Sequence, residues 1–266
     1  MRRKKLWRVV RLLIIGYITG GVVLYFLQDL IIFHPKPLAA NYSFKFDQPF
    51  KEINIRTADD RNLNIVQFFP KEKPKGIVLY FHGNMTNVER YARYAPTFTK
   101  NNYEVWIIDY PGYGKTTGKR KEQTMYDDSM LFYNLAIDSM NQKDIIIYGK
   151  SLGTGVASWL ASKKSCQQLI LETPYYSMTS MTQHYVPIYP ASLLRYSFPV
   201  NEHLQNVKVP ATIFHGTADE VIPYKQSLNL KKEFPKVNLI TVPGGRHNNL
   251  YRFPDVIQKL DSLLAG

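Results

Sequence analysis

The pattern of apolar and polar positions after residue 50 predicts a regular alternation of strands and helices. Short continuous apolar runs, such as GIVLYF at 76–81, are typical of strands that are buried on both faces of a sheet. Eight strands are predicted in this way, at 52–57, 63–69, 76–81, 104–109, 144–148, 169–171, 212–214 and 238–242. We expect the first two to pair in antiparallel fashion through a turn near Asp59 and Asp60.

Amphipathic segments between these strands predict helices, at 88–100, 123–140, from Leu152 onward and at 255–264. Strands that alternate with helices form a mostly parallel sheet with helices on both faces. The sequence therefore predicts an α/β fold with a mostly parallel eight-stranded sheet in residues 51–266. The connection at about 173–209 is too long for a simple loop, so we expect a short cap over the carboxyl edge of the sheet, where open α/β sheets bind ligands.

The N-terminal region has a different pattern, in which a cationic cluster precedes a long apolar run. Residues 12–27 carry no charged side chain, and with the two valines before Arg11 they span about 28 Å as a helix, close to the hydrocarbon thickness of a bilayer. Aromatic residues near both ends fit an interfacial belt. We therefore predict a cytoplasmic basic tail and transmembrane signal anchor at 1–33, followed by a proline-stiffened juxtamembrane linker at 34–50.

The distribution of charge supports a membrane interface over a nucleic-acid interface. The chain has 34 Lys and Arg against 21 Asp and Glu, a net charge of +13, and six of the cations lie in the first eleven residues. Cations beside an apolar span keep that end cytoplasmic, which predicts an extracytoplasmic remainder. The other dense basic run, 115–121, lies in a predicted loop with no recognition motif, so no nucleic-acid partner is expected.

A cleaved signal peptide is the alternative interpretation of the N-terminus. It would share the basic start, but its apolar region is usually shorter and ends at a small-residue cleavage site. Here only Ala39 and Ala40 resemble such a site, and they lie well beyond the apolar run. We therefore expect the segment to remain as an anchor.

The amino-acid composition excludes several classes of protein. Apolar residues make up 45% of the chain and aromatic residues 14%, which requires a packed core and excludes a disordered protein. The single cysteine, Cys166, excludes a disulfide scaffold and a cysteine-rich metal module. The sequence also lacks an H-E-x-x-H motif, so neither a catalytic metal nor a cofactor is expected.

Residues 149–153, GKSLG, form a G-x-S-x-G motif between a predicted strand and a predicted helix. In this setting the serine lies on a strained turn that exposes its hydroxyl at the edge of the sheet. Flanking side chains larger than glycine would collide with the neighbouring strand and helix. A helix-capping serine is the alternative, but the preceding strand favours Ser151 as a nucleophile.

A serine nucleophile needs a base and an orienting acid, and in this setting they follow in the order acid, then histidine. Asp219 follows the strand at 212–214, in the segment HGTADE. His247 follows the last strand, in the segment GGRHNN. Glu172, which follows the strand after the motif, remains an alternative acid.

An oxyanion hole should combine the amide after the nucleophile with an amide from the loop after the third strand. Leu152 supplies the first amide. The segment FHGNM supplies the second, from Asn84 or alternatively from Met85.

From about residue 51 to its end, the chain resembles the α/β-hydrolase family through FHGN, DYPGYGKT, GKSLGTG, HGTADEVIP and GGRHNNL in that order. With QDLIIFHP after the apolar run, it is similar to the small abhydrolase-domain proteins that have one membrane anchor and a short cap. The resemblance implies Ser151 as nucleophile, Asp219 as acid, His247 as base, and Asn84 with Leu152 as oxyanion amides. GGRHNN replaces the more usual G-G-x-H-x-D, which leaves the triad intact.

These residues together predict a serine hydrolase of carboxylic esters or thioesters. The predicted cap is rich in tyrosine and methionine, which either line a site for an apolar acyl group or pack the cap itself. With a membrane anchor, the first interpretation favours lipid or lipidated substrates, such as lysophospholipids or acylated proteins. A peptidase or amidase of the same fold and a non-catalytic, membrane-anchored binding protein are the alternatives.

Overall fold

The computed structural model describes residues 2–265 and begins with one long helix. Helix α1 (Arg2–Ile32) contains the cationic cluster and the whole uncharged run. Many of its apolar side chains, such as Leu13, Phe26 and Leu30, are exposed. By length and composition, α1 is able to cross a membrane.

An eight-stranded sheet forms the centre of the remaining chain. Its strands are β1 (Phe50–Arg56), β2 (Asn62–Phe68), β3 (Gly76–Phe81), β4 (Tyr103–Ile108), β5 (Ile145–Lys150), β6 (Gln168–Glu172), β7 (Ala211–Gly216) and β8 (Asn238–Val242). Their order across the sheet is β8-β7-β6-β5-β3-β4-β2-β1. The β1–β2 and β2–β4 pairs are antiparallel, and the other neighbouring pairs are parallel. The predicted mostly parallel, eight-stranded sheet is therefore confirmed.

The central strands are apolar throughout because both faces of the sheet are covered. Every residue of β3 is buried. Ile77 and Leu79 join the apolar core on one face, whereas Val78 and Tyr80 join the core on the other. Parallel strands that are buried on both sides have this continuous apolar sequence, which is why the sequence predicts them.

Eight helices follow α1 within the described residues 2–265. They are α2 (Val88–Tyr91), α3 (Ala95–Thr99), α4 (Glu122–Ile137), α5 (Gly153–Lys163), α6 (Met178–Tyr185), α7 (Val200–Leu204), α8 (Lys225–Glu233) and α9 (Pro254–Ala265). The single helix expected at 88–100 is instead two short helices joined by a 3₁₀ turn at Ala92–Tyr94. Pro96 has no amide hydrogen to donate to the carbonyl of Ala92, which interrupts the helical ladder there.

The segment between β6 and β7 contains α6 and α7 and packs against α1. The Ser177 hydroxyl caps α6 by accepting the Ser180 amide at 3.0 Å, while the Ser180 hydroxyl accepts the Ser177 amide at 3.1 Å. From the other side, the Gln28 side chain of α1 donates to the Leu193 carbonyl at 2.7 Å. The connection is therefore hydrogen-bonded to α1.

The segment directly after α1 is hydrogen-bonded to loops of the domain. His34–Pro35 pairs in parallel with Met85–Thr86, in the loop after β3. The Leu38 amide donates to the Gly114 carbonyl, in the loop after β4, at 2.7 Å. These contacts hold the end of α1 close to the carboxyl edge of the sheet.

Candidate active site

Ser151 lies on a tight turn between β5 and α5. Its φ angle is +51°, in the left-handed region that residues other than glycine rarely adopt, so the backbone is strained at this position. The Ser151 amide donates to the carbonyl of Glu172 at 2.9 Å, which continues the pairing of β5 with β6 and holds the turn in place. This is the strand–turn–helix setting that the GKSLG motif predicted.

Gly149 and Gly153 allow the turn to approach its neighbours closely. A Cβ atom at Gly153 would lie 2.1 Å from the carbonyl oxygen of Phe81, and one at Gly149 would lie 2.7 Å from Cβ of Ala157. Both separations are too short for atoms that are not bonded to each other. The expected collision with the neighbouring strand and helix is therefore confirmed.

Ser151, His247 and Asp219 form one hydrogen-bonded chain. The Ser151 hydroxyl donates to Nε2 of His247 at 3.0 Å, and Nδ1 of His247 donates to Oδ2 of Asp219 at 2.9 Å. Ser151 and His247 are 7% and 6% exposed, and the Asp219 side chain is fully shielded from solvent. Ser151 follows β5, Asp219 follows β7 and His247 follows β8, and the carboxyl ends of these strands meet at one edge of the sheet. Their arrangement is that of a nucleophile, a base and an orienting acid.

The surroundings of Asp219 favour its ionised form. Burial alone would raise the pKa of this carboxyl, but hydrogen bonds from His215 and His247 outweigh that effect and hold the pKa well below its ordinary value. The other carboxylate oxygen accepts the backbone amides of Val221 and Ile222 at 2.8 Å each. Asp219 is therefore a carboxylate at neutral pH, suited to stabilise a positive charge on His247.

Glu172, the alternative acid, lies below the turn and has other partners. It forms an ion pair with Lys150 and accepts the Tyr148 hydroxyl at 2.5 Å. Lys150 also donates to the carbonyl of His247 at 3.3 Å. The carboxylate that contacts the His247 ring is thus Asp219 and not Glu172. Sequence reasoning missed Lys150 because the G-x-S-x-G motif leaves its position unspecified.

The predicted oxyanion residues flank Ser151. Asn84 and Leu152 line the same cavity as Ser151. The Asn84 side-chain amide donates to the carbonyl of Ile32, the last residue of α1, at 2.8 Å, which ties this loop to the helix. The alternative donor, the Met85 amide, is directed to the Tyr91 hydroxyl at 3.4 Å.

A cavity of about 290 Å³ opens beside Ser151, close to the ~300 Å³ at which ligand pockets begin. Its walls are mostly apolar and come from the last turn of α1, from the cap and from the loop after β7. These wall residues are Ile31, Ile32, Tyr175, Met178, Met181, Thr182, Tyr185, Val186, Val221 and Ile222. Sequence reasoning missed Ile31 and Ile32, because nothing in the sequence of the predicted anchor, 1–33, distinguishes residues that face the domain from residues that face lipid.

Two other buried histidines have structural partners. Nε2 of His82 donates to the Asp109 carboxylate at 3.1 Å, and the Val88 amide donates to the same oxygen at 2.9 Å. Burial raises the pKa of Asp109, while the hydrogen bond from His82 opposes the increase. His203 shares a hydrogen bond with the Ser158 hydroxyl at 3.0 Å, and burial lowers the pKa of His203 to about 4. Asp109 thus braces the loop after β3.

Comparisons with known proteins identify sequences that are similar to this chain. A family model described as "Serine aminopeptidase, S33" matches residues 72–199. The alpha/beta hydrolase domain-containing protein 17C of Xenopus tropicalis is 28% identical over 195 residues, which cover 71% of this chain and 61% of that protein. The human protein of the same name is 26% identical over 217 residues, which cover 79% of this chain and 64% of that protein. The chain thus spans less than two thirds of the length of these relatives.

Solved structures give a consistent result for the architecture. An esterase from Pyrococcus furiosus matches with a TM-score of 0.67 and 18% identity, over 88% of this chain and 97% of its own. Est1E from Butyrivibrio proteoclasticus, solved with ferulic acid, matches with a TM-score of 0.61 and 18% identity, over 80% of this chain and 96% of its own. At this level of identity the likeness establishes a shared fold.

Proposed function

Because the chain belongs to the α/β-hydrolase family, we propose that it is a serine hydrolase that cleaves carboxylic esters or thioesters. The observation that carries the proposal is the hydrogen-bonded chain from Ser151 through His247 to Asp219, at the floor of an apolar cavity. A serine hydroxyl becomes an effective nucleophile only with such a base and orienting acid. The esterase activity named for the Pyrococcus furiosus neighbour belongs to the same reaction class.

In the proposed reaction, Ser151 attacks the carbonyl carbon of the substrate while Nε2 of His247 takes the hydroxyl proton. Asp219 holds Nδ1 and stabilises the imidazolium. The tetrahedral intermediate collapses to an acyl-enzyme when His247 passes its proton to the departing alcohol or thiol. A water molecule then transfers a proton to His247 and attacks the acyl-enzyme, which releases the carboxylic acid and restores Ser151.

We assign stabilisation of the oxyanion to the backbone amides of Leu152 and Asn84. Leu152 directly precedes α5, where the helix dipole favours negative charge, and Asn84 lines the same cavity from the opposite loop. The loss of one such donor typically lowers turnover by about 10²–10³-fold. No metal or cofactor has a part in this scheme.

We propose that α1 is an uncleaved signal anchor, with its N-terminus in the cytoplasm and the catalytic domain on the other side of the membrane. Six cations precede the apolar run, and the first acidic residue is Asp29. A fusion of alkaline phosphatase after Gly266 tests this topology, since that reporter folds only in an oxidising, extracytoplasmic compartment. An inactive phosphatase fusion beside an active cytoplasmic reporter at the same site would reverse the assignment.

The substrate class follows from the cavity and the anchor together. Apolar walls beside Ser151 suit a hydrocarbon chain, and a membrane anchor holds the cavity close to lipids. We therefore propose lipid or lipidated substrates, such as lysophospholipids or acylated proteins.

A peptidase or amidase is the second candidate, and the match to the serine aminopeptidase model favours it. The same triad would cleave an amide through the same acyl-enzyme. Matched ester, thioester and amide substrates that share one acyl group separate the candidates. The primary proposal requires the ester or thioester to be the better substrate, and faster cleavage of the amide would favour the second candidate.

Labelling with a fluorophosphonate probe tests the nucleophile itself. We expect the probe to label the wild type and to leave a Ser151→Ala variant unlabelled. Ser162→Ala, a serine replacement further along α5, serves as the matched control and should label like the wild type. An unlabelled wild type, or a labelled Ser151→Ala variant, would contradict the proposal and favour a non-catalytic, membrane-anchored binding protein.

A further inference from the structure

A second, smaller cavity lies along α1, next to the cavity beside Ser151. The second cavity has a volume of about 90 Å³ and shares the side chains of Ile31, Ile32 and Val186 with the first. From there it extends between α1 and the cap as far as Leu24. Two adjacent, mostly apolar cavities thus lie in line from Ser151 to the uncharged part of α1, and we call them together the groove.

The cap contacts α1 far from the end of the helix, through residues 186–194, which we call the cap tip. The ring of Tyr189 stacks on the ring of Tyr17, with 4.9 Å between the centroids. The Tyr17 hydroxyl donates to the carbonyl of Ile188 at 3.0 Å, and the Tyr189 hydroxyl donates to the carbonyl of Tyr17 at 3.2 Å. Both carbonyls thus have partners, as a lipid environment requires.

The position of Tyr17 along α1 sets the depth of the cap tip. Tyr17 precedes Leu27, the end of the uncharged run, by about 15 Å of helix, roughly half of the ~30 Å hydrocarbon thickness of a bilayer. Arg195 and Asp29 form an ion pair at 2.7 Å just beyond that end, at the height expected for lipid headgroups. When α1 spans a bilayer, a cap tip bound to Tyr17 lies at the depth of the acyl chains.

The composition of the cap tip suits this depth. Its sequence, VPIYPASLL, contains no charged residue. The Ile188 side chain is 67% exposed on the surface of the protein. Together with the exposed apolar face of α1 it forms a large apolar surface, which is typical of a site of membrane contact.

We infer that the cap tip inserts into the bilayer beside α1, and that the groove between them delivers the acyl chain of a membrane lipid to Ser151. The inference rests on the proposed function and adds a substrate class, a long-chain ester that is taken directly from the membrane. The acyl chain lies along Leu24, Ile31 and Ile32, and its carbonyl carbon reaches Ser151. Helix α1 is then part of the substrate site as well as an anchor.

Fluorescence quenching in reconstituted vesicles tests the insertion directly. A bimane label is attached to Ile188→Cys or, as the matched control, to Ile137→Cys, an exposed isoleucine at the far end of α4, near the start of β5. The native Cys166 does not compete, because burial raises the pKa of its thiol to about 12. Phosphatidylcholine brominated in the middle of its acyl chains should quench the label at position 188 and leave the label at 137 bright. Equal fluorescence at both positions would overturn the insertion.

Two glycines of α1 provide a test of the groove. A Cβ atom at Gly20 would lie 2.1 Å from the Tyr189 hydroxyl, whereas one at Gly16 would have no neighbour within 4 Å. Gly20→Leu therefore displaces the cap tip, and Gly16→Leu is the matched control. With the full chain in phosphatidylcholine vesicles, we expect Gly20→Leu to slow hydrolysis of vesicle-bound 4-nitrophenyl palmitate by about tenfold and to leave the rate with soluble 4-nitrophenyl butyrate within about twofold. Gly16→Leu should change neither rate.

The two substrates separate failure of the inference from failure of the proposed function. If the wild type hydrolyses butyrate and both variants hydrolyse palmitate equally fast, the delivery groove is wrong and the serine hydrolase stands. If the wild type hydrolyses no ester or thioester, the proposed function fails and the delivery inference fails with it. The quenching result for Ile188→Cys decides the insertion in either case.

Discussion

The ammonium group of Lys150 and the carboxylate of Glu172 form an ion pair directly beneath the proposed nucleophile, where both side chains are 2% exposed. The same ammonium group donates to the carbonyl of His247, so it connects the turn of Ser151 with the loop that carries the proposed base. Each charge has lost its contact with water and depends on the other for compensation.

Replacement of one member of this ion pair should destabilise the folded protein more than replacement of both. Lys150→Met or Glu172→Leu alone leaves an uncompensated buried charge, and we expect each to lower the free energy of unfolding by about 3–5 kcal/mol. The double variant Lys150→Met with Glu172→Leu should recover part of that loss. Urea unfolding of the detergent-solubilised protein measures all three values. A double variant as unstable as the sum of the single variants would show that the two residues are not coupled.

The proposed role of Asp219 predicts a large catalytic effect with little effect on folding. Asp219→Asn retains the shape of the side chain but removes the charge that orients and stabilises the imidazolium, so kcat for an ester should fall by about 10⁴-fold. Asp255→Asn, at an exposed position at the start of α9, is the matched control and should retain full activity. Equal activity of the two variants would remove Asp219 from the triad.

The close approach at Gly153 predicts a strict requirement for glycine. A methyl group at this position would meet the backbone carbonyl of Phe81 at 2.1 Å, and backbone atoms have little freedom to move. We expect Gly153→Ala to lower the free energy of unfolding by about 3 kcal/mol, at the upper end of the usual range for overpacking. Gly16→Ala, where the added methyl group meets nothing within 4 Å, should unfold at the same urea concentration as the wild type or slightly higher.

The buried His203 predicts a loss of stability in mild acid. Its pKa is lowered to about 4 by burial, so between pH 6.5 and pH 4 the unfolded chain binds a proton at this residue and the folded chain does not. The free energy of unfolding therefore falls as the pH falls through this window, by about 3 kcal/mol in total. Asp219 does not affect stability in this pH window. Its carboxyl pKa is lowered in the folded protein, so the stability that its ionised form contributes is lost only below pH 3.8.

His203→Gln should remove this pH dependence. Urea midpoints at pH 7, 6 and 5 should fall steeply for the wild type and less steeply for the variant, since the variant has no proton to bind at position 203. Parallel pH profiles for the two proteins would show that another group controls the acid sensitivity.

The sheet and the turn at Ser151 could be predicted from the sequence because their physical requirements restrict local residue types. A strand buried on both faces must be continuously apolar, as β3 is. The turn at Ser151 requires small neighbours, which is why glycine stands at 149 and 153. Helix α8 was missed for the opposite reason, because its sequence KQSLNLKKE buries only Gln226, Ser227 and Leu230 and lacks a clear apolar face.

The contacts between α1 and the cap could not be predicted, because they join distant residues of ordinary type. Tyr17 and Tyr189 are separated by 172 positions, and either tyrosine alone fits a common membrane or packing role. Lys150 occupies a position of the G-x-S-x-G motif that any residue can fill, so the sequence does not indicate its ion pair with Glu172. Such pairings depend on the three-dimensional arrangement of elements and not on local sequence.

The hydrogen bond from the side chain of Asn84 to the carbonyl of Ile32 also affects how the protein should be prepared. Deletion of α1, a common route to a soluble sample, removes this acceptor and opens the wall that Ile31 and Ile32 form. Any rate measured on that fragment would describe a protein with a loosened loop and a cavity exposed to water, and not the intact chain. Purification of the intact chain in nanodiscs keeps this hydrogen bond and this wall in place.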